Sequence, residues 1–568
     1  MSGTATLGAA GSDRTGWVGG LWDRKLAHYP DTGMRIFSLT LVVLTTVVLY
    51  YELYVGASVA TLIIGDFKMS FLFYVNISVV SNLVGAFASL IAGLSDRFGR
   101  ANLVVYGLLL TGLLVAFAIP NTSNEYVFAT LVVLVGFVEG IILVATPALV
   151  RDFSPQVGRA TAMGFWTLGP VCGSLVVALV ANHTLPLAPT LADWRTQYEI
   201  CGVVGIVMFV ACFLGLRELS PQLRDQLMVS MHDRALIEAR AKGIDVEATL
   251  AHPWRQVLKL NIVASAFAVS VLLLIYYAAV GFFTIYFATI FGFSLTAANG
   301  IDTWYWGVNA VVLVIVGLLS DRLRVRKPFM IVGGVLAAVM TIVFLTKATQ
   351  PHTSYYEFVV IISLLAAGLG IAYTPWMASF TETVEAENPA LTATGLAVWG
   401  WILRIVVSVS FFVLPFVVSS VTPLVEQGAT VAATAKAIAP ELAIVEAHPK
   451  LFAELARYPK VTDAPPALLG LAIKEVGIAK LQAVAKVSPE LHYVLTEGPK
   501  VAAAAKSSPH QWQTWWWVCV AGEIVFLPLV LLMAGRWSPA AAKDDLDKHE
   551  AAVAAELAKL GVVPAGGE

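Results

Sequence analysis

The chain has 568 residues, 58% hydrophobic and 13% charged, with a formal net charge of −2 and a mean hydropathy of +0.78. That is more apolar surface than one water-soluble core of ordinary size hides, so the composition calls for lipid as solvent. The basic residues are scattered and give a nucleic-acid partner no footing; the four cysteines, Cys172, Cys201, Cys212 and Cys519, lie in apolar runs without metal-ligand spacing and read as small buried hydrophobes.

Residues 1–35 lack a short apolar block followed by a small-residue cleavage site, so they read as a cytosolic tail and not as a signal peptide. A helix needs about 20 apolar residues to cross a bilayer. Twelve stretches qualify: 36–62, 71–92, 102–120, 126–149, 161–182, 198–216, 261–290, 300–320, 329–347, 356–378, 392–419 and 514–534. The first six fill an N-terminal half, 36–216. A charged, helix-favouring linker, 217–260, separates them from spans 7 to 11 at 261–419. Residues 420–513 are rich in Ala, Lys, Glu and Pro and interrupt the second half before span 12; 535–568 form a second tail. The expected fold is an all-α membrane protein: twelve transmembrane helices in two six-helix pseudo-symmetric halves, with a helical extracytoplasmic insertion between helices 11 and 12. The loops on the side of the termini carry 23 Lys plus Arg, against Lys68, Arg195 and Lys347 on the other side when the long insertion is left out. The positive-inside rule then puts both termini in the cytoplasm of a multi-pass protein of the cell (plasma or inner) membrane. Within the insertion, PEL at 440–442 recurs at 489–491 and PK at 449–450 recurs at 499–500. Proline suits the first helical turn, so a cap of short helices each opened by proline is expected, with a disordered insertion as the alternative.

A charged turn, GLSDRFGR at 93–100, follows span 2, and a near copy, GLLSDRLRVRKP at 317–328, follows span 8. The repeat supports duplicated halves, and each turn reads as a latch whose Asp and Arg pair across the interface of the halves or with helix ends. At these residues the chain resembles the major facilitator superfamily of secondary transporters, over 36–419 and 514–534. The family signature runs Gly, three residues, Asp, Arg, any residue, Gly, Arg. Asp96, Arg97, Gly99 and Arg100 match it, with Ala92 in place of the first Gly. In the second copy Gly317, Asp321 and Arg322 match, and Arg324 replaces the second Gly. The stretch TLGPVCGS in span 5 looks like the Gly-Pro-x-x-Gly core of an antiporter and exporter motif, matching at Gly169, Pro170 and Gly173; close packing with a proline kink is the other reading. In span 4, GFVEG has Gly136 where the family often has Arg and Glu139 where it has Gln, so a coupling scheme that needs that Arg does not carry over.

Four ionisable residues fall deep within spans: Glu52, Glu139, Arg404 and Glu523. An ionised group at mid-membrane costs on the order of 2.5–3.5 kcal/mol on insertion scales, so function is the first hypothesis. A carboxyl in a low-dielectric cavity takes up a proton more readily and releases it when the cavity opens to water. Glu52 and Glu139 are candidates for that role, since helices 1 and 4 line the central cavity in the resembling family. Arg404 stays charged and either pairs with Glu523 or meets an anionic substrate. Tyr276, Tyr277, Trp304, Trp306, Trp376, Trp399 and Trp401 are candidate cavity walls.

These features point to a proton-coupled secondary transporter of a small molecule, working by alternating access. Export by antiport is preferred on the span 5 motif; uptake of a small organic anion by symport is the alternative. A non-transporting receptor or assembly scaffold that uses the insertion, with an extracytoplasmic partner, is the rival of another class. No enzymatic activity, cofactor or metal is expected; no GxxxxGK[ST] motif occurs, which argues against ATP-driven transport. The partners are the substrate, protons and the bilayer, and the unit is a monomer.

Overall fold

The computed structural model describes residues 24–26, 28–91, 99–154, 164–220, 223, 258–387, 392–458 and 463–541, with part of the tail to 555. Twelve helices among them are long and apolar enough to cross a membrane: α1 Thr32–Phe67, α2 Phe71–Ala88, α3 Arg100–Ala118, α4 Glu125–Val150, α5 Gly164–Thr184, α6 Leu191–Gly215, α7 Leu260–Phe291, α8 Leu295–Leu323, α9 Lys327–Lys347, α10 Tyr355–Val384, α11 Gly395–Val417 and α12 Ser488–Leu532. Side chains that satisfy the first free N–H groups set where several of them begin. Asp31 accepts from Met34 N at 2.8 Å ahead of α1, Asn124 from Tyr126 N ahead of α4, and Ser294 from Ala297 N ahead of α8. Gly292, at φ +65°, ends α7.

Within each half the helices approach closely through small residues, because lipid offers no hydrophobic drive for helices to associate. A Cβ on Gly140 of α4 would strike the backbone of Gly85 in α2; one on Gly368 of α10 would meet Ala337 N of α9 at 2.6 Å. The halves meet along α2 with α11 and α5 with α8. Asn82 Nδ2 in α2 donates to Ser408 Oγ in α11 at 2.9 Å. A 3-10 stretch, Val55–Val59, interrupts α1 near the face that carries the insertion.

The expected last span, 514–534, is only part of a longer helix. The chain is continuous α-helix from Ser488 to Leu529, so 488–513 of the expected insertion stand on α12 itself. Before it come helices Ala429–Ala437, Ala439–Ala447, Pro449–Leu455, Pro466–Glu475 and Ile478–Lys486. Prolines do open the second, third and fourth of these and α12, through Pro440, Pro449, Pro466 and Pro489. The first and last start without one, and Pro499 of the repeated PK lies inside α12, so the repeat does not mark equivalent helix starts. Two small apolar clusters hold this cap, one around Val445, Val484 and Leu491, the other around Leu451, Leu455 and Val476. It is tied to the N-terminal half by Glu426 Oε1, which accepts from Phe71 N at the start of α2 at 2.8 Å.

At the opposite face the all-α expectation has one small exception. Strand β1, Lys25–Leu26, pairs in parallel with β2, Glu218–Leu219, so the N-terminal tail clips onto the chain leaving α6. Arg24 is buried there, its guanidinium 4.3 Å over the Phe213 ring. Glu218 accepts from Arg100 N at 2.6 Å and Ala101 N at 3.3 Å, a carboxylate on the positive end of α3. Residues 92–98 and 155–163 and most of the expected linker, 224–257, lie outside the described residues.

The second charged turn leaves α8 through Arg324, which takes the left-handed conformation at φ +54° where the first turn has Gly99 at φ +88°. A side chain in that region costs about 1–2 kcal/mol, and glycine loses part of that gain to chain entropy. Arg324→Gly is therefore expected to stabilise the protein by about 0.5–1 kcal/mol, read as a higher thermal unfolding midpoint in detergent.

Candidate functional site

Asp96 and Arg97 of the first charged turn lie outside the described residues. Gly99 and Arg100 do not: a Cβ on Gly99 would come within 2.6 Å of Glu218 Oε1, and Arg100 Nη1 donates to both oxygens of Asp152 at 2.8 and 2.9 Å. Asp152 is on the last turn of the helix that contains α4, which runs on to Phe153. In the second copy Asp321 pairs with Arg326 at 2.7 Å, and Arg326 Nε reaches Glu382 Oε1 near the end of α10 at 3.1 Å. The two halves thus repeat one arrangement, an arginine at the start of the third helix held by a carboxylate at the end of the fourth. Sequence reading chose Arg322, which is exposed, and missed Arg326 because the second turn has one more residue between its left-handed position and its arginine. The pairs described here stay inside a half and fix helix ends. Gly317 packs its face on Thr374 of α10, where an added Cβ would sit 3.2 Å from Cγ2.

In α5 the glycines of TLGPVCGS face α1. A Cβ on Gly169 would strike Thr46, and one on Gly173 would come within 2.5 Å of Tyr50 Cβ. Pro170 sits in the first turn of the segment Gly169–Thr184, where its missing N–H leaves nothing unpaired. These residues seat α5 on α1.

Of the four expected intramembrane charges, the structure brings two toward the centre. Arg404 of α11 is half-buried, with Nη1 3.3 Å from where a Cβ on Gly85 would be. Gly85 in turn lies against Gly136 and Gly140 of α4. An arginine at 136 would drive into Ser81, which a bare Cβ there already meets, and Arg404 supplies a guanidinium to the α2–α4 surface from the other half. Glu139, 1% exposed, has no hydrogen-bond partner for either oxygen among the described residues. Tyr50 and Tyr54 of α1 lie within electrostatic reach of both Glu139 and Arg404, and Tyr277 of α7 within reach of Arg404.

The other two face elsewhere. Glu52 is on the side of α1 turned into its own half, beside Thr111 of α3 and against Gly205 of α6. It lies within reach of Glu139, so the two carboxyls share one dry region of the N-terminal half. Glu523 is fully buried and accepts from Thr341 Oγ1 of α9 at 2.8 Å. It forms no ion pair with Arg404, which has no carboxylate within salt-bridge distance among the described residues.

The aromatic candidates divide likewise. Tyr276, Tyr277 and Trp306 cluster at the centre, Tyr276 with Trp306 at 4.9 Å. Trp376 is wholly buried, donating to Ser265 and ringed by Tyr373, Phe380 and Trp399, a packing role. Trp304 is half exposed on the outside, and Trp401 meets the exposed Phe87. Sequence reading passed over Tyr50 and Tyr54, and also Asp302 in α8, which is 7% exposed and lines a cavity between the halves. It lies near the start of the expected span at 300–320, away from the mid-span positions where an ionisable residue stands out.

The chain matches the sequence profile of the Major Facilitator Superfamily over residues 41–409. It is 37% identical over 116 residues to the MFS transporter asaE of Aspergillus flavus, over 18% of this chain; the match spans about a quarter (26%) of that curated relative. The fold is similar to a bacterial homolog of the human lysosomal transporter Spinster in an inward-facing, unoccupied conformation, with a TM-score of 0.55 and 16% identity over 90% of this chain and 100% of that one. It is also similar to the inward-open xylose transporter XylE from E. coli, with a TM-score of 0.51 and 13% identity over 67% of this chain and 89% of that one. Twelve spanning helices, the repeated arginine–carboxylate turns and a profile match across most of the membrane-embedded chain agree: this multi-pass membrane protein belongs to the Major Facilitator Superfamily.

Proposed function

We propose that the chain is a proton-coupled secondary transporter that takes up a small organic anion by symport, its two halves rocking about a midplane site. The observation that carries this reading is Arg404. A permanent charge at half depth, beside tyrosines and without a carboxylate partner among the described residues, is an unanswered cation, and an anionic substrate answers it. Had Arg404 paired with Glu523, a structural role would have sufficed. Glu139 is the coupling carboxyl in this scheme, because it reaches the same two tyrosines, with Glu52 as its neighbour in the dry half.

Charge also bears on direction. Carrying one negative charge into a cell interior at −100 mV costs about 2.3 kcal/mol, which one accompanying proton cancels. Export of an anion would gain from the same potential and need no proton. The span 5 motif, which favoured antiport, is accounted for by the seating of α5 on α1 whichever way substrate moves. The 23-to-3 bias in basic loop residues supports a cytoplasmic face for the termini and an extracytoplasmic insertion. We take the arginine–carboxylate turns as stiffeners of each half at the cytoplasmic gate and the monomer as the transporting unit.

Purified protein in liposomes with an internal pH-sensitive dye tests the reading: small carboxylates added outside should drive proton entry, and organic cations should not. Acidification driven by cations, or by nothing in a broad panel, would overturn it. Glu139→Gln should retain anion binding and exchange while losing accumulation driven by a pH gradient, since the amide keeps the shape but cannot cycle a proton. Arg404→Leu should remain folded and lose anion affinity. Because Arg404 and Glu523 are not paired, the stability effects of Arg404→Leu and Glu523→Leu should add to within about 0.5 kcal/mol in thermal unfolding of the singles and the double.

A further inference from the structure

The cavity beside Asp302 lies between the halves, near the insertion face, and shares Tyr54 with the site around Arg404. It is a small, partly open space whose polar wall is Ala57 and Ser58 of α1, Ser174 of α5, Thr284 of α7 and Asn299 and Asp302 of α8. The 3-10 stretch Val55–Val59 frees backbone carbonyls here, and the opposite half uses two of them. Thr284 Oγ1 donates to Ala57 O at 2.8 Å, and Asn299 Nδ2 donates to Ser58 O at 3.1 Å. Each carbonyl keeps a second lone pair. Two side chains more than nine-tenths buried line the same space with no hydrogen-bond partner among the described residues: Asp302 Oδ1, in a residue 7% exposed, and Ser174 Oγ, in one 4% exposed. No Lys, Arg or His lines the cavity among the described residues.

A ring of hard oxygen acceptors around a single uncompensated carboxylate, at a break in a membrane helix, is chemistry for a monovalent cation. One carboxylate balances one charge, which disfavours a divalent ion. We propose that this cavity binds an alkali cation, with Asp302 as the charged ligand and Ser174, Asn299 Oδ1 and the carbonyls of Ala57 and Ser58 as the neutral ones. Its ligands come from both halves, so the bound ion stabilises the state in which the insertion face is closed. This site is additional to the proton-coupled anion site, and occupancy is read without transport.

The test uses the purified full chain in detergent, with Na⁺ as the probe against N-methyl-D-glucamine at constant chloride. Wild type should show a saturable rise in unfolding midpoint with Na⁺, matched by saturable binding of radioactive Na⁺. Asp302→Asn should lose both. Ser174→Ala removes a hydroxyl that has no partner among the described residues, so it should fold normally and weaken the apparent Na⁺ affinity by about tenfold, the scale on which groups supporting a cation site act. Ser174→Ala decides the matter if Asp302→Asn does not fold. An unchanged midpoint in Na⁺, an undiminished Na⁺ effect in either variant, or stabilisation by methylammonium but not Na⁺ would each overturn the site. A midpoint that follows pH through Asp302 and ignores Na⁺ would also overturn it, leaving Asp302 a proton carrier only.

Discussion

Hydrocarbon does not solvate charge, and every ionisable group that enters this membrane domain must be answered by the protein or by what the protein carries. The groups differ in how they are answered. Glu523 accepts from Thr341 on one oxygen, and its other oxygen has no partner among the described residues. Glu52 and Glu139 are packed dry in one half, Glu52 beside the Thr111 hydroxyl and Glu139 without a hydrogen-bond partner among the described residues. Arg404 cannot discharge, and Asp302 faces a cavity lined with acceptors. Arg404 and Asp302 lie where the halves face each other, and there the proposed substrate and cation would supply what the fold withholds.

The second constraint is close approach. Helices that cannot be driven together by water are brought together by shape, and the contacts at Gly85 with Gly140, and at Gly368 with Ala337, fasten helices within a half. The arginine–carboxylate turns do the same at the termini's face, joining Arg100 to Asp152 and Arg326 to Glu382. Contacts between the halves include single hydrogen bonds from a side chain to a carbonyl, such as Thr284 to Ala57. Ion pairs inside each half and neutral hydrogen bonds between them suit two bodies that rock.

Much of this was legible in the sequence because its signals are local. Span length, the repeated Asp-Arg turn and proline at helix starts each depend on neighbours in the chain, and the spans and most of the proline starts appeared as expected. What sequence reading could not supply was the facing of side chains. Glu52 and Tyr54 are two residues apart, about 200° around a helix, so one turns into its half while the other meets the central cavity. Arg404 and Glu523 looked like partners because their helices are consecutive spans, yet they point toward α2 and α9 respectively. The length of α12 was hidden because its upper part is polar on the outside, and hydropathy finds the part of a helix in lipid, not the whole helix.

That continuity of α12 gives the protein an outrigger. Forty-two residues of helix amount to about 63 Å at 1.5 Å per residue, so the rod stands well clear of the bilayer, although Pro499 and Pro509 soften it. Its lower end moves with the C-terminal half, while the cap it carries is moored through Glu426 to the first turn of α2 in the N-terminal half. Any tilt between the halves is magnified with height along the rod and arrives at that mooring as tension. The traffic runs both ways: a load hung on the cap from outside becomes a torque between the two halves.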